Sequence, residues 1–420
     1  MLPASLAMLA LAGGLAGPCF QDPAGKDLRD RVVLRSGKEL RGRVLSLPGA
    51  DPLLLVQGGK RIRVPKAELS SVDTVEGRLR EFLRLRAERA GNQRAEWILA
   101  EWARSRGLDA MARLAALSIL MRDDAHGDAH AFLGHRNQKG IWLWPRGGEW
   151  LPRERLLAEL ADHPLEIRSE HFATRVSAGL QQGVSALFDL ERLYGFWFEQ
   201  YGEALALQHV AEPMRIDFWP NRDSFPRWGQ RPLPYYTPDP FGDLARSFHG
   251  EGERPELLFF AGTQCILYHA MAGNPRMAHE RDRLCPWLEI GLGMLAESVM
   301  KGPPGRAEPG PPRRQNVLAM QALGRSHELG NLTHLPLYEG FYQTDDTASA
   351  VAWSESAMFV AFLLDPSNDP PTRERFLDFA RQAIGERKGD SSTLFDRALG
   401  RRIEEFEKPF ADWLSRKAGR

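Results

Sequence analysis

Short alternating hydrophobic runs dominate the chain between about Arg31 and Asp73. Val32–Leu34 is followed by the turn signal Ser36-Gly37-Lys38, and Leu53–Val56 leads into a second turn at Gly58-Gly59. Alternation with period two indicates strands with one buried face, and glycine-containing turns join such strands into hairpins. The pattern therefore predicts a small β-barrel over residues 28–75. Such a unit serves either as a structural spacer or as a binding module for a ligand or partner.

The period changes to that of a helix at Leu79. Apolar residues recur at helical spacing from there to His135, interrupted by Gly91-Asn92 and Arg106-Gly107. These breaks predict antiparallel TPR-like helical hairpins that must pack on a neighbour to bury their apolar faces. Two aromatic runs, Ile141–Trp144 and Glu149–Leu151, predict a β-hairpin that completes this region, residues 79–160.

A larger domain is predicted over residues 164–415. Leu165–Val176 alternates like a strand, Gln182–Leu207 is amphipathic like a long helix, and Met214–Trp219 predicts a second strand. Residues 220–240 and 302–312 are rich in proline and predict loops, the second one a mobile surface loop. The remainder up to Trp413 is predicted to be mainly helical.

The first twenty residues differ from the rest of the chain. Leu6–Ala16 is an uncharged run with the length of a signal-peptide core, and it is too short to span a bilayer. A signal peptide over residues 1–20 predicts an exported protein, periplasmic, in the cell envelope or secreted. Cys19 raises a lipoprotein alternative, which Pro18 directly before it disfavours. No segment of the mature chain is expected to be a transmembrane helix.

The amino-acid composition excludes some classes of function. Lys plus Arg and Asp plus Glu each number 55, so no net charge attracts nucleic acid or an anionic membrane. The hydrophobic content of 43% and charged content of 26% are those of a globular protein. No phosphate-binding loop, nucleophile elbow or basic-aromatic patch is present. The expected partner is a protein, peptide or envelope component of unknown identity.

Two later segments carry the strongest resemblance to a known family. Leu257–His269 has the sequence LLFFAGTQCILYH, and Pro286–Ser298 has the sequence PWLEIGLGMLAES. In order and spacing they resemble the two active-site helices of gluzincin-like, peptidase-MA-like zinc metallopeptidases. Ser169–Phe172 with the following helix, Ala352–Ser356 and Phe395–Gly400 extend the resemblance over residues 165–415. The resemblance implies a mainly helical zincin-like domain with a small β-sheet.

Active members of that family bind Zn²⁺ through two histidines four residues apart on one helix and a glutamate from the next. A glutamate after the first histidine acts as general base on the zinc-bound water. Aligned on Gly262-Thr263, these four positions hold Phe260, Ala261, Gln264 and Ile290 in this chain. Phe and Ile cannot bind a metal, Ala cannot move a proton, and Gln is a poor zinc ligand. The resemblance therefore implies a degenerate site without catalytic residues and without a cofactor.

Other residues leave alternatives open. A relocated zinc site is conceivable at His269, His279 and Glu280, with Glu289 and Glu297 nearby. The spacing of His126 and His130, flanked by three aspartates and His135, can place two imidazoles on one helix face, although a helix boundary explains it more simply. Cys265 and Cys285 could form one disulfide or remain buried thiols. His327-Glu328 and His334 lack ligand spacing and are expected on the surface. The aromatic segment Trp219–Tyr236 lines a binding groove or covers a core edge.

Together these features predict an α+β multidomain protein: a small SH3-like β-barrel, TPR-like helical hairpins and a gluzincin-like domain. Three functions are considered. The first is a non-catalytic pseudopeptidase that acts by binding or as a structural component. The second is an active zinc metallohydrolase with relocated ligands, the only case in which a metal cofactor is expected. The third is a protein-binding scaffold that uses the N-terminal modules.

Overall fold

The structure is a computed structural model. It describes residues 30–177, 179–210, 212–228, 231–232, 234–237, 244–249, 255–271, 285–300, 327–343, 346–368, 370–386 and 391–418. The protein is α+β, with an N-terminal antiparallel sheet, further sheets in the middle of the chain and a mainly helical C-terminal part. The predicted signal peptide, Cys19 and the predicted loop 302–312 lie outside the described residues.

The N-terminal sheet has the strand order β4-β3-β2-β1-β5. Its strands are β1 (Asp30–Leu34), β2 (Glu39–Val44), β3 (Leu53–Gln57), β4 (Lys60–Val64) and β5 (Leu69–Asp73). The described strands close no barrel, so this part of the prediction is corrected to an open sheet. Pro65 directly follows β4 and has no N–H to extend the ladder, and a short helical turn then carries the chain across to β1. Alternate side chains, including Val32 and Leu55, form a separate small core.

The helical region begins at Val75, four residues earlier than predicted, because the Thr74 side chain accepts the N–H of Gly77 and caps the first helix. Its helices are α1 (Val75–Arg89), α2 (Gln93–Ser105), α3 (Asp109–Leu120) and α4 (Gly127–Leu133). The predicted hairpin is confirmed and gains a third strand, giving β6 (Arg136–Gln138), β7 (Ile141–Arg146) and β8 (Glu149–Pro152), followed by α5 (Arg153–Ala158).

The predicted strand Leu165–Val176 is two strands, because the polar turn Ser169–His171 reverses the chain without interrupting the alternation on either side. The predicted long helix ends at Tyr201, where the chain turns at Gly202. Residues 220–240, predicted as a loop, contain three two-residue strands. The elements are β9 (Leu165–Arg168), β10 (Phe172–Val176), α6 (Leu180–Tyr201), β11 (Met214–Trp219), β12 (Arg227–Trp228), β13 (Arg231–Pro232), β14 (Tyr236–Thr237), β15 (Leu244–His249) and β16 (Pro255–Glu256).

The central sheet has the order β14-β15-β11-β10-β9, with β16 also paired to β15. The pairs β10–β11 and β11–β15 are parallel and the others antiparallel. The C-terminal part consists of α7 (Leu258–Ile266), α8 (Pro286–Met300), α9 (Leu329–Thr333), α10 (Asp346–Leu364), α11 (Pro370–Ala380), α12 (Ser391–Leu399) and α13 (Glu407–Ala418). One continuous hydrophobic core runs from α1 to α13.

Within α10, the window Thr347–Leu364 is long and apolar enough to cross a membrane by length and composition. The sequence analysis expected no segment of this kind after the predicted signal peptide. In the structure, 67% of the window is buried inside the protein. Its apolar character is therefore that of a core helix, which must be hydrophobic on most of its circumference.

Candidate functional site

The four positions that the family resemblance assigns to zinc chemistry lie in the packed core around α7 and α8. Phe260, Ala261, Gln264 and Ile290 each have 0% of their surface exposed. Gly293 lets α8 approach α7 closely, since a Cβ built there would lie 2.5 Å from Cδ2 of Phe260. The backbone of α8 therefore lies directly against the Phe260 ring at this point.

Aromatic rings fill the surroundings of the position assigned to the first histidine. The ring of Phe260 stacks on that of Trp353 of α10, with centroids 4.7 Å apart and an interplanar angle of 24°. Tyr235 meets the Phe260 ring edge-on at 5.6 Å. Such contacts between aromatic rings stabilise a dry core. The Phe260 side chain itself has no atom that could coordinate a metal or transfer a proton.

Gln264 is the one polar side chain among the four positions. Its Oε1 and Nε2 are both buried, and neither has a hydrogen-bond partner among the residues that the structure describes. A buried amide that has lost its bonds to water without replacing them destabilises the folded state by about 1–3 kcal/mol.

We expect the substitution Gln264→Met to raise the free energy of unfolding by about 1–3 kcal/mol, because an apolar chain of similar length replaces an unsatisfied amide. Denaturant unfolding followed by circular dichroism measures the change. Gln181→Met on the exposed side of α6 is the matched control and should change stability by less than about 0.5 kcal/mol. A loss of stability in Gln264→Met would contradict the prediction and indicate that the amide binds a buried group.

Both glutamates of α8 that were considered for a relocated metal site have structural roles. Glu297 accepts the backbone N–H groups of Phe259 and Phe260 at 2.8 and 3.0 Å, and so stabilises the first turn of α7. Glu289 accepts the hydroxyl of Tyr268, with O···O distances of 3.2 and 3.3 Å. Both carboxylates thus hold α8 to the segment that contains α7.

His269 lies in the π-helical turn Leu267–Met271 after α7, with Tyr236 edge-on to its ring at 6.4 Å. His279 and Glu280 lie outside the described residues, so the relocated site stays a hypothesis. Among the described residues, no three His, Cys, Asp or Glu side chains form a group that could hold a metal ion.

A different buried polar cluster connects the N-terminal sheet to the central sheet. His171, in the turn between β9 and β10, bonds through Nδ1 to Glu191 of α6 at 2.7 Å and through Nε2 to Glu76 of α1 at 3.1 Å. Glu76 also pairs with Arg43 of β2 at 2.6 Å. Tyr194 stacks on the His171 ring at 3.6 Å. Four segments of the chain therefore meet at one buried imidazole.

Electrostatics in this cluster favour an imidazolium between two carboxylates. Burial alone would lower the pKa of His171, but Glu76 and Glu191 outweigh it and raise that pKa to about 9. Burial opposes ionisation of Glu76, yet His171 and Arg43 hold its pKa well below the usual range. Burial raises the pKa of Glu170 to about 7, and burial lowers the pKa of His209 to about 4. His209 is therefore neutral near pH 7.

The sequence alone did not predict this cluster. Glu170 and His171 were noted only as part of a family-like segment, inside what was interpreted as one continuous strand. The polar run Ser169-Glu170-His171 within an alternating pattern was the available signal of a turn. The partners Arg43, Glu76 and Glu191 are distant in sequence, so no local spacing relates them.

The other candidate histidines have separate roles. His126 and His130 do not share a helix face, because His126 precedes α4 and its Nδ1 accepts the N–H of Ala129 as an N-cap. Nδ1 of His130 lies 2.7 Å from Nδ1 of His135, and the His130 ring stacks on Trp142. His334 is exposed as expected.

His327 was expected on the surface, but its Nδ1 lies 2.6 Å from the buried carboxylate of Glu355. Cys265 and Cys285 are both buried, and the Cys265 thiol contacts the carbonyl of Arg215 at 3.7 Å. One disulfide and two buried thiols were the two alternatives for this pair, and the burial of both residues fits either. In the aromatic segment, Phe225 and Tyr236 are buried, with 4% and 1% of their surface exposed. These two side chains contribute to the core rather than to an open groove.

Comparison with known proteins identifies no family for this chain, since no family model, curated protein or solved structure matches it. The geometry of the described residues is therefore the basis for any statement about function.

Proposed function

We propose that this protein is an exported, non-catalytic pseudopeptidase with a gluzincin-like domain, which acts by binding or as a structural component. The observation that carries the proposal is the complete burial of Phe260, Ala261, Gln264 and Ile290. None of the four side chains can serve as a strong zinc ligand or as general base, and tight packing around Phe260 leaves no room for a zinc-bound water.

We also propose an identity for each part of the fold. In this proposal the N-terminal sheet is an SH3-like module, helices α1–α4 are TPR-like hairpins, and the part beyond residue 164 is a zincin-like domain. The pairing of α7 with α8, and the packing of α8 on α10, supports the last assignment because family members carry their zinc ligands on two such helices.

Zinc content and peptidase activity test the proposal. We expect full-length protein purified without chelator or added zinc to hold far less than one zinc per chain by plasma mass spectrometry. It should not cleave a fluorogenic peptide library, with or without added Zn²⁺. About one zinc per chain, lost together with activity on chelation, would overturn the proposal.

If the protein instead has the relocated zinc site, the zinc analysis should give the opposite result. It requires stoichiometric zinc that the substitution His269→Ala removes. The matched control is His334→Ala, which replaces an exposed histidine of the same protein. Retention of zinc in His269→Ala would exclude His269 as a ligand.

A further inference from the structure

A cavity of about 410 Å³ lies between α1 and α6, beside the buried polar cluster. This volume is within the range of about 300–1,000 Å³ typical of small-molecule sites. Its walls are largely apolar, formed by Leu79 and Leu83 of α1, Phe196 and Phe198 of α6, and Met300 at the end of α8.

The charged groups around this cavity are already matched. Arg80 of α1 pairs with Glu199 of α6 at 2.8 Å, and Arg192 pairs with Asp189 at 3.2 Å. Arg84 pairs with two glutamates of its own helix, and Glu76 and Glu191 are bound within the polar cluster. Among the described residues that line the cavity, a charged ligand would therefore meet no unmatched charge of opposite sign, and burying its charge here would be unfavourable.

His209 offers a hydrogen-bond donor of a neutral side chain beside the cavity. His209 is 7% exposed, and its ring stacks on Phe198 at 4.3 Å. The hydroxyl of Tyr194 accepts the N–H of Val210 at 3.1 Å and also lies 3.1 Å from Nδ1 of His209, and we assign the hydroxyl hydrogen to this second contact. The neutral ring then carries its proton on Nε2. No hydrogen-bond partner for Nε2 is found within the described part of the chain, and the residue lines the cavity.

Gly195 leaves part of the wall open. It lies in the interior of α6 and lines the cavity, and a Cβ built on it would meet no atom of the described residues within 4 Å. A glycine in a helix interior makes the helix less stable than an alanine would. Gly195 thus makes α6 less stable but leaves space in the cavity that a side chain would fill.

We propose that this cavity binds a small uncharged molecule with an apolar chain and one hydrogen-bond acceptor, which receives the Nε2–H of His209. The apolar walls accommodate the chain, and the paired charges disfavour an ionised headgroup. This inference does not depend on the loss of the zinc site, so zinc analysis and ligand binding can fail independently.

Three probes with the same tail test the charge preference: 1-octanol, octanoate and octyltrimethylammonium. Isothermal titration calorimetry with the full-length protein should give saturable one-site binding of 1-octanol. Octanoate and octyltrimethylammonium should bind at least about tenfold more weakly, because their charges would be buried without a partner. Absence of saturable 1-octanol binding, or tighter binding of either ion, would overturn the proposal.

Variants at two positions locate the site. Gly195→Phe should fill the cavity and abolish 1-octanol binding, with Gly195→Leu as a second filler if the larger ring impairs folding. Gly195→Ala is the matched control and should bind within about twofold of wild type, since its Cβ meets open space. His209→Phe keeps the ring on Phe198 but removes the donor, and should weaken binding about threefold to tenfold. Unchanged affinity in a folded filler variant would place the ligand elsewhere and refute the site.

Discussion

The substitution His171→Gln is expected to lower the free energy of unfolding by about 3–5 kcal/mol, because it leaves two buried carboxylates without their shared cation. Glu191 then keeps the backbone N–H of residue 171 and Glu76 keeps Arg43, while the Gln amide brings no positive charge. Denaturant unfolding at pH 7 measures the loss. His334→Gln, at an exposed histidine, should change stability by less than about 0.5 kcal/mol.

The same substitution should change the pH dependence of stability. The pKa of His171 is raised to about 9 in the folded protein, so its stabilising contribution is complete below the unfolded pKa of about 6.5. The contribution is lost as pH rises through about 9. Wild type should therefore lose more stability between pH 7 and about pH 9.5 than His171→Gln does. Equal pH profiles of stability in wild type and His171→Gln would contradict the imidazolium assignment. So would a destabilisation of His171→Gln by less than about 1 kcal/mol at pH 7.

Replacement of Phe260 by alanine is expected to destabilise the protein by about 3–5 kcal/mol. The side chain is fully buried, stacks on Trp353 and contacts α8 at Gly293, where a Cβ would not fit. Truncation leaves a cavity that the surrounding helices can fill only in part. Thermal and denaturant unfolding give the magnitude.

Ile141→Ala serves as the control, since this side chain is 57% exposed and should contribute less than about 1 kcal/mol. A loss of similar size at both positions would mean that α7 and α8 are loosely packed. That outcome would also weaken the proposal of a lost zinc site, because an adaptable pocket could then admit a metal and its water.

Much of the fold could be predicted from local patterns. The N-terminal strands, the helical region and the aromatic hairpin follow from the spacing of apolar residues and from turn residues such as Gly58-Gly59. The ends of strands were less predictable where a short polar turn does not interrupt the alternation of buried and exposed residues, as at Ser169–His171. Phe260 and Ile290, which the resemblance assigns to metal-binding positions, are both fully buried.

The sequence by itself determined the α+β class and the order of the elements. It also determined that no His-Glu-x-x-His zinc motif is present, because all of these depend on residues close together in the chain. Only the tertiary structure decided that the N-terminal strands form an open sheet and that Arg43, Glu76, His171 and Glu191 meet. It also produced the cavity beside His209. Pairings of this kind depend on how distant segments pack, and no spacing along the chain encodes which carboxylate will face a given imidazole.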